Sequence, residues 1–221
     1  MKVIKIGGGS LKDKETIEHI FDLIATRGQG NIFVLSALNG VTDALINGMS
    51  AALADENTIA EIIGDLRSKH TLVARQLISD CDGLEVFGRE LDKSLSELDR
   101  LYYGLNFTRE ITARMRDMIS SYGERFAVEL FASALRCRGI NATYRMPEEI
   151  GLYTDGKFGD ATANLRKTSN NLQRNLTPLL DEGKILFIPG FFGISETGDI
   201  PTFGRGCRDY SAAGVAVART A

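Results

Sequence analysis

The sequence has little net charge, no long apolar run and no leader-like start. The formal net charge of its 221 residues is −3, so the chain lacks the basic surface that gripping nucleic-acid phosphates requires. No stretch approaches the roughly 20 apolar residues of a membrane-spanning helix. The opening residues MKVIKIGGGS interleave charged and apolar side chains, unlike a signal peptide. We therefore expect a cytoplasmic protein that binds neither nucleic acid nor membrane.

Cysteine and histidine are also scarce. Cys81, Cys137 and Cys207 are odd in number and far apart, and the sequence has only two histidines. This pattern favours neither a disulfide framework nor a zinc site, and it fits a reducing compartment. The remaining composition, 43% hydrophobic and 25% charged, is typical of a globular domain with a substantial core. We find no repeat, linker or domain boundary inside the chain.

Short strand-like runs alternate with segments of helical spacing. Strands are predicted at KVIKI (2–6), NIFVL (31–35), INATY (140–144) and KILFIPGFF (184–192). The first two run into small or turn residues and are followed by apolar residues at helical spacing. This order predicts an α/β fold with a mainly parallel sheet flanked by helices.

Residues 57–138 are helical in period almost throughout. Their apolar stripes, such as Leu91, Leu95, Leu98, Tyr102 and Leu105, predict a large helical layer packed on the sheet. We expect breaks in this layer near CDGLEVFG (81–88) and YYGLN (102–106). The glycine-rich, polar stretch YTDGKFGDATAN (153–164) predicts a surface or lid loop.

A lysine and three glycines end the first predicted strand, in KIGGGS (5–10). Glycines let backbone N–H groups close on an anion, and Lys5 adds a positive charge at that place. The order of residues is not that of a Walker A loop, in which the lysine follows the glycines. Such a cluster taken alone is more often a tight turn than a phosphate site.

A second charged loop, GRGCRDYSAAG (204–214), precedes another predicted helix. The planar fork of Arg205 suits a carboxylate, and Asp209 stands where the helix begins. Glu124 is expected in the first turn of an apolar helix, where the helix dipole favours an acid. Ser36 and Thr42 lie between a strand and a helix, at the edge where open α/β sheets bind ligands. Taken alone, Asp209 is better explained as an N-cap and Arg205 as part of a surface ion pair, but together these residues indicate a site.

Four stretches resemble, in order, the motifs of one family. They are KIGGGS, VLSALNGVTDAL, SYGERFAVELFASALRCRGINA and PGFFGISETGDIPTFGRGCRDYSAAG. The aspartokinases carry similar stretches that read approximately KFGGTS, VSAMSGVTD, SFGERLSA, and GFIG followed by TLGRGGSDYSA. The resemblance spans essentially the whole chain. Its combination of GERxxA and GRGxxDYSA is absent from acetylglutamate and uridylate kinases, which share the fold and the early lysine and glycines.

The resemblance implies an amino-acid kinase fold and an aspartate kinase activity. Such an enzyme transfers the γ-phosphoryl group of ATP, with Mg²⁺, to the side-chain carboxylate of L-aspartate. This is the first step of lysine, threonine and methionine biosynthesis. By analogy with the family, the full-length protein is expected to form a homodimer.

The resemblance also assigns the phosphate-binding residues. Lys5 would contact the transferred phosphoryl group and is expected to be catalytic. Gly7, Gly8, Gly9 and Ser10 would bind phosphate beside it. Here Gly9 replaces the threonine that is usual in the family.

The substrate-binding residues follow in the same way. Ser36 and Thr42 would line the aspartate pocket, Glu124 would accept hydrogen bonds from the α-ammonium, and Arg205 would hold the α-carboxylate. Asp209 would lie near the phosphates and magnesium as a second catalytic residue. No metal ligand is assigned among the side chains.

The second charged loop departs from the family pattern, with Cys207 and Arg208 in place of the usual glycine and serine. Arg208 either adds a phosphate contact or obstructs the site, and we favour the contact. Cys207 is interpreted as an inert small residue rather than a reactive thiol.

The sequence stops at Ala221, inside the helix predicted after this loop. Residues 1–221 thus resemble the N-terminal, aspartate-binding part of the catalytic domain, without the nucleotide-binding half and the ACT-type regulatory domains. We expect this chain to be inactive by itself. Two alternatives stay open: a non-catalytic amino-acid-binding or regulatory module derived from the family, and a kinase for another small amino acid.

Overall fold

The computed structural model describes residues 2–79 and 81–204, within which four short strands form one sheet. The strands are β1 Val3–Ile6, β2 Ile32–Leu35, β3 Ala142–Tyr144 and β4 Ile185–Pro189. They are all parallel and lie in the order β1-β2-β4-β3. The predicted parallel α/β sheet is therefore confirmed.

Seven helices occur in the same ranges. They are α1 Lys14–Arg27, α2 Val41–Ala54, α3 Thr58–Leu77, α4 Cys81–Thr108, α5 Ala113–Cys137, α6 Pro147–Ile150 and α7 Leu165–Asp181. The side chains of Asp13 and Thr112 cap α1 and α5 by accepting hydrogen bonds from backbone N–H groups of the first turn. Within the described ranges, no helix combines the length and apolarity needed to cross a bilayer.

Helices cover both faces of the sheet. On one face, Phe33, Leu35 and Phe187 belong to a large core shared with α1 to α5. On the other face, Ile32, Leu186 and Ile188 pack with residues of α6 and α7 and of the adjoining loops. The two central strands, β2 and β4, are buried throughout for this reason, which explains their continuous apolar runs, whereas the outer strands β1 and β3 are partly exposed.

The helical layer consists of α2 to α5, of which α3 to α5 form the predicted layer of residues 57–138; among its described residues that predicted layer has two breaks, as expected, but each lies a few residues away from the predicted stretch. α4 runs without a break through both CDGLEVFG and YYGLN, and the chain leaves helical conformation at residues 78 and 79 and again at 109–112 instead. Tyr102 and Leu105 are buried, and the Tyr102 hydroxyl donates a 2.9 Å hydrogen bond to the carbonyl oxygen of Leu45 on α2. This packing outweighs the weak helix propensity of Gly104.

The last strand is shorter than its apolar run predicts. β4 ends at Pro189, and Phe191 has the left-handed φ of 73° that non-glycine residues rarely adopt. The loop at 153–164 has the exposed side chains predicted for it. It is nevertheless held in place, because Thr154 pairs with Ala163 and Ala161 pairs with Phe203 in isolated bridges.

Candidate amino-acid-binding site

The carboxyl ends of three strands lie side by side. Ile6 of β1 is in register with Leu35 of β2, and Leu35 is in register with Pro189 of β4. The backbone N–H of Ser36 donates to the carbonyl of Ile6 at 3.0 Å, and that of Gly190 donates to the carbonyl of Leu35 at 2.8 Å. The loops that follow these strands therefore begin next to one another, at the edge where parallel sheets bind ligands.

A polar hollow of about 140 Å³ lies at this edge. Five predicted residues line it: Gly8, Gly9, Ser36, Thr42 and Glu124. The structure thus brings together parts of three motifs that are far apart in sequence. The hollow is small beside the roughly 300 to 1,000 Å³ of pockets for drug-sized ligands, so its size suits a small amino acid better than a nucleotide.

The glycine loop and the loop after β2 pack closely. Residues Gly8–Ser10 form a short 3₁₀ turn, closed by hydrogen bonds from the amides of Ser10 and Leu11 to the carbonyls of Gly7 and Gly8. A Cβ on Gly8 would lie 3.1 Å from the carbonyl oxygen of Ala37. Glycine therefore permits the contact that forms one wall of the hollow.

Glu124 reaches the hollow from the middle of α5, which corrects the prediction that it lies in a first helical turn. The helix begins eleven residues earlier, at Ala113, where Thr112 caps it. Glu124 is buried. Its neighbour Gly123 allows α5 to approach, since a Cβ there would lie 2.8 Å from the Cβ of Ala37.

The N-terminus of α2 forms the opposite wall. Gly40 is its N-cap, with a φ of 77° and no side-chain cap hydrogen bond, and Thr42 and Asp43 follow in the first turn. Helix N-termini carry a partial positive charge and donate backbone N–H groups that can bind a carboxylate, and the acid Asp43 of this turn offsets part of that charge. Lys69 of α3 supports it by donating a hydrogen bond to the carbonyl oxygen of Asn39.

Lys5 and Ser10 line a different cavity. This larger space, about 540 Å³, lies along β1 and α1 and is otherwise lined mostly by aliphatic side chains such as Ile4, Ile20 and Leu23. Its charged lining residues are all basic, namely Lys2, Lys5 and Arg27, so it offers no acid to bind the ammonium group of an amino acid. The polar hollow is therefore the better candidate site, and Lys5 is not among the residues that line it.

Three predicted site residues, Arg205, Arg208 and Asp209, lie outside the described residues, as does Cys207. The predicted loop of 204–214 is thus described only at Gly204. Within 2–79 and 81–204, no cluster of three or more histidine, cysteine or acidic side chains is arranged to hold a metal ion.

Sequence reasoning missed several residues around the hollow. Asn39 and Asp43 line it, although only the neighbouring hydroxyls were chosen from that segment. Arg125 was also overlooked beside Glu124. Its guanidinium lies 4.8 Å from the centre of the Phe192 ring and donates a 2.7 Å hydrogen bond to Glu148.

Phe191 is the other residue that was missed. Its carbonyl oxygen accepts a 2.7 Å hydrogen bond from the amide of Phe203, so its left-handed conformation joins the end of β4 to the segment before Gly204. Unusual backbone of this kind often marks functional sites. The glycines on both sides, Gly190 and Gly193, were the signal in the sequence.

The environment of α5 beyond Glu124 is poorly solvated. Burial raises the pKa of Glu129, about one and a half turns further along the helix, to about 7. Burial also raises the pKa of the Tyr122 phenol. On the buried part of this helix, a group stays ionised only where partners or ligands stabilise its charge.

Curated relatives cover most of this chain but extend well beyond it. Aspartokinase 3 of Bacillus subtilis is 28% identical over 218 residues, which are 95% of this chain and 44% of that protein. Aspartokinase 1 of Arabidopsis thaliana chloroplasts is 27% identical over 95% of this chain and 37% of its own length. The chain therefore spans less than half the length of these relatives.

Solved structures of aspartokinases share the fold of this chain. E. coli aspartokinase III in complex with lysine and aspartate matches with a TM-score of 0.86 and 25% identity, over 100% of this chain and 47% of that one. The complex of the same enzyme with aspartate and ADP matches with a TM-score of 0.85 and 24% identity. The sequence model of the amino acid kinase family matches residues 1–221. The chain thus belongs to the amino acid kinase family.

Proposed function

We propose that this chain is the aspartate-binding part of an ATP-dependent aspartate kinase, which forms 4-phospho-L-aspartate. The observation that carries the proposal is the polar hollow, in which Ser36, Thr42 and Glu124 meet beside the glycine loop. The similarity to aspartokinases and the aspartate present in the two E. coli structures support it. On the same basis, we propose that this reaction is the first step of lysine, threonine and methionine biosynthesis.

The hollow supplies complementary groups for an amino acid. The carboxylate of Glu124 suits a substrate ammonium, since a charge-assisted hydrogen bond between ionised groups is stronger than a neutral one. The N-terminus of α2 suits a carboxylate. We propose that Arg205 holds the α-carboxylate, which leaves the side-chain carboxylate to face the glycine loop.

Phosphoryl transfer to a carboxylate needs no general base. The side-chain carboxyl of aspartate has an ordinary pKa of about 3.9 and is already ionised at neutral pH. Catalysis then depends on positioning and on neutralising the phosphate charge. We propose that Lys5, Asp209 and Arg208 serve the phosphate side of the reaction, with the amides of Gly7, Gly8 and Gly9.

ATP is the proposed phosphoryl donor, and magnesium is expected to accompany it. The described residues provide no cluster of metal-ligating side chains, so we assign no magnesium ligand among them. No step proposed for these residues depends on the metal.

The proposal is tested by titrating the chain with L-aspartate and with succinate, which lacks the ammonium group. We expect the wild type to bind aspartate more tightly, and Glu124→Gln to weaken aspartate binding by about 10- to 100-fold while leaving succinate binding nearly unchanged. Glu61→Gln, an exposed position on α3, is the matched control. A wild-type chain that binds aspartate no better than succinate would contradict the proposal, and a preference for another amino acid would favour a kinase for that substrate.

A further inference from the structure

Asp117 is a buried acid near the start of α5 that lies outside the polar hollow. Only 3% of its surface is exposed. Burying a carboxylate is unfavourable unless its oxygens accept hydrogen bonds, so the partners of Asp117 indicate its role.

Three hydrogen bonds satisfy this carboxylate. Its Oδ2 atom accepts one from the backbone N–H of Gly159 and one from that of Thr202, each at 2.7 Å. Its Oδ1 atom accepts one from the hydroxyl of Thr202 at 2.9 Å. Gly159 and Thr202 belong to two different segments. Each is more than 40 residues from Asp117 in sequence, and the two are more than 40 residues from each other. Asp117 therefore joins both segments to the helix.

These two segments are also joined to each other. The amide of Ala161 donates a 3.0 Å hydrogen bond to the carbonyl oxygen of Thr202. At the first position of the predicted loop, a Cβ on Gly204 would collide with the carboxylate of Asp160. The described end of the chain is thus held by hydrogen bonds, and Asp117 is the buried acid that accepts two of them.

The position of Asp117 on α5 gives this attachment a second consequence. Asp117 precedes Glu124 by seven residues, which places both on the same face of the helix, about 10.5 Å apart along its axis. Thr202 precedes Arg205 by three residues. One rigid helix therefore carries Glu124 and anchors the segment that leads into Arg205.

We propose that Asp117 is a positioning residue that fixes the base of the Arg205 loop relative to Glu124. The inference rests on the proposed function, in which Glu124 binds the ammonium group of aspartate and Arg205 binds its α-carboxylate. Asp117 acts by holding Thr202, three residues before Arg205 in sequence, to the helix that carries Glu124, and it makes no contact with substrate itself.

A second contact between α5 and the segment that contains Thr202 provides a matched control. Arg114, in the first turn of α5, forms a 2.8 Å ion pair with Asp199, and the arginine side chain is 62% exposed. Ion pairs exposed to water contribute little. Arg114→Ala thus removes a contact to the same segment without disturbing the buried carboxylate.

The experiment compares L-aspartate with β-alanine, which lacks the α-carboxylate, in titrations of the full chain followed by NMR. We expect Asp117→Ala to raise the Kd for aspartate about 10- to 100-fold, because small displacements of a positioned group have effects of this size. The Kd for β-alanine should change less than about twofold. Asp117→Asn should restore most of the affinity, since its amide oxygen can accept both backbone N–H groups while its NH₂ donates to Thr202. Arg114→Ala should leave both affinities unchanged.

A double variant tests whether Asp117 acts through Arg205. Arg205→Ala should show the same selective loss of aspartate binding, and adding Asp117→Ala to it should produce no further loss. Additive losses, or equal losses for aspartate and β-alanine, would overturn the positioning role.

Failure of the proposed function and failure of the positioning role give different results. A wild-type chain that does not bind aspartate refutes the proposed function together with this inference, whereas normal aspartate binding by Asp117→Ala refutes the inference alone. If circular dichroism shows that Asp117→Ala is unfolded, Thr202→Val takes its place. Thr202→Val removes only the hydroxyl hydrogen bond, and it should weaken aspartate binding selectively, by about threefold to tenfold. Unchanged binding by that variant would count against the proposal.

Discussion

Replacing Glu129 by glutamine is expected to change how the stability of the protein depends on pH. Glu129 is 5% exposed on α5, and its Oε1 atom accepts a 2.9 Å hydrogen bond from the Ser94 hydroxyl. Burial is the main cause that raises its pKa from 4.5 to about 7; the Ser94 hydrogen bond opposes the rise, and the nearby carboxylates of Glu90 and Glu97 add to it. The folded protein therefore keeps this side chain protonated at pH values where the unfolded chain has lost the proton.

The sign and size of the effect follow from this difference in pKa. Between the unfolded pKa of 4.5 and the folded pKa of about 7, the folded state binds more protons than the unfolded state. The free energy of unfolding consequently falls as the pH rises through that window. From about pH 5 to about pH 8, the fall due to this one group is on the order of 2 to 3 kcal/mol. Glu129→Gln cannot ionise, so the variant lacks this contribution.

The assay is urea unfolding of both proteins at about pH 5 and about pH 8. Relative to the wild type, Glu129→Gln should gain on the order of 2 to 3 kcal/mol in unfolding free energy between these two pH values. Burial lowers the pKa of His70 to about 4, so its titration makes the free energy of unfolding rise, not fall, with pH. It is present in both proteins, so its contribution cancels in the comparison. The exposed Glu61→Gln is the control, and it should show no such gain.

The result that would refute this reasoning is an equal stability difference between Glu129→Gln and the wild type at both pH values. The folded and unfolded pKa values of Glu129 would then be the same, and burial would not hold its proton.

Two further predictions concern packing in the helical layer. Gly123→Ala should destabilise the fold by about 1 to 3 kcal/mol, because its Cβ would lie 2.8 Å from that of Ala37. The control Gly64→Ala, with nothing within 4 Å of the new Cβ, should instead stabilise the protein by about 0.5 to 1 kcal/mol. Urea unfolding measures both, and a stabilising Gly123→Ala would contradict the close approach. Tyr102→Phe should lower the free energy of unfolding by about 1 to 3 kcal/mol, because it removes the hydrogen bond to α2. Tyr103→Phe changes an exposed ring and should leave the stability unchanged. Equal melting temperatures for these two variants would contradict a stabilising role of the hydrogen bond.

Local patterns in the sequence were sufficient for the sheet and part of the site. Ser36 and Thr42 were found because a strand, a turn and a helix follow each other within a few residues, and the ends of parallel strands meet at one edge. Glu124 was selected for a wrong reason, as a first-turn acid. Its inclusion in the site depends on the GER motif, because the middle of a buried helix has no local signal that separates a binding residue from a core residue.

The missed features depend on contacts between distant parts of the chain. Asp117 is satisfied by donors 42 and 85 residues away, and no periodicity predicts such partners. The unbroken course of α4 depends on the burial of Tyr102 against α2, which overrides the local preference of the adjacent glycine. Both failures have the same physical cause, which is that tertiary packing decides where local preferences are weak.

The continuous burial of α5 restricts how this region can vary between related proteins. Inserting or deleting one residue between Asp117 and Glu124 would rotate one of them by about 100° around the helix axis relative to the other. Because the helix is enclosed on all sides from Ile119 to Leu135 except at Arg125, no bulge could absorb the change at the surface. The seven-residue interval should therefore tolerate substitutions of its intervening side chains far better than any change in its length.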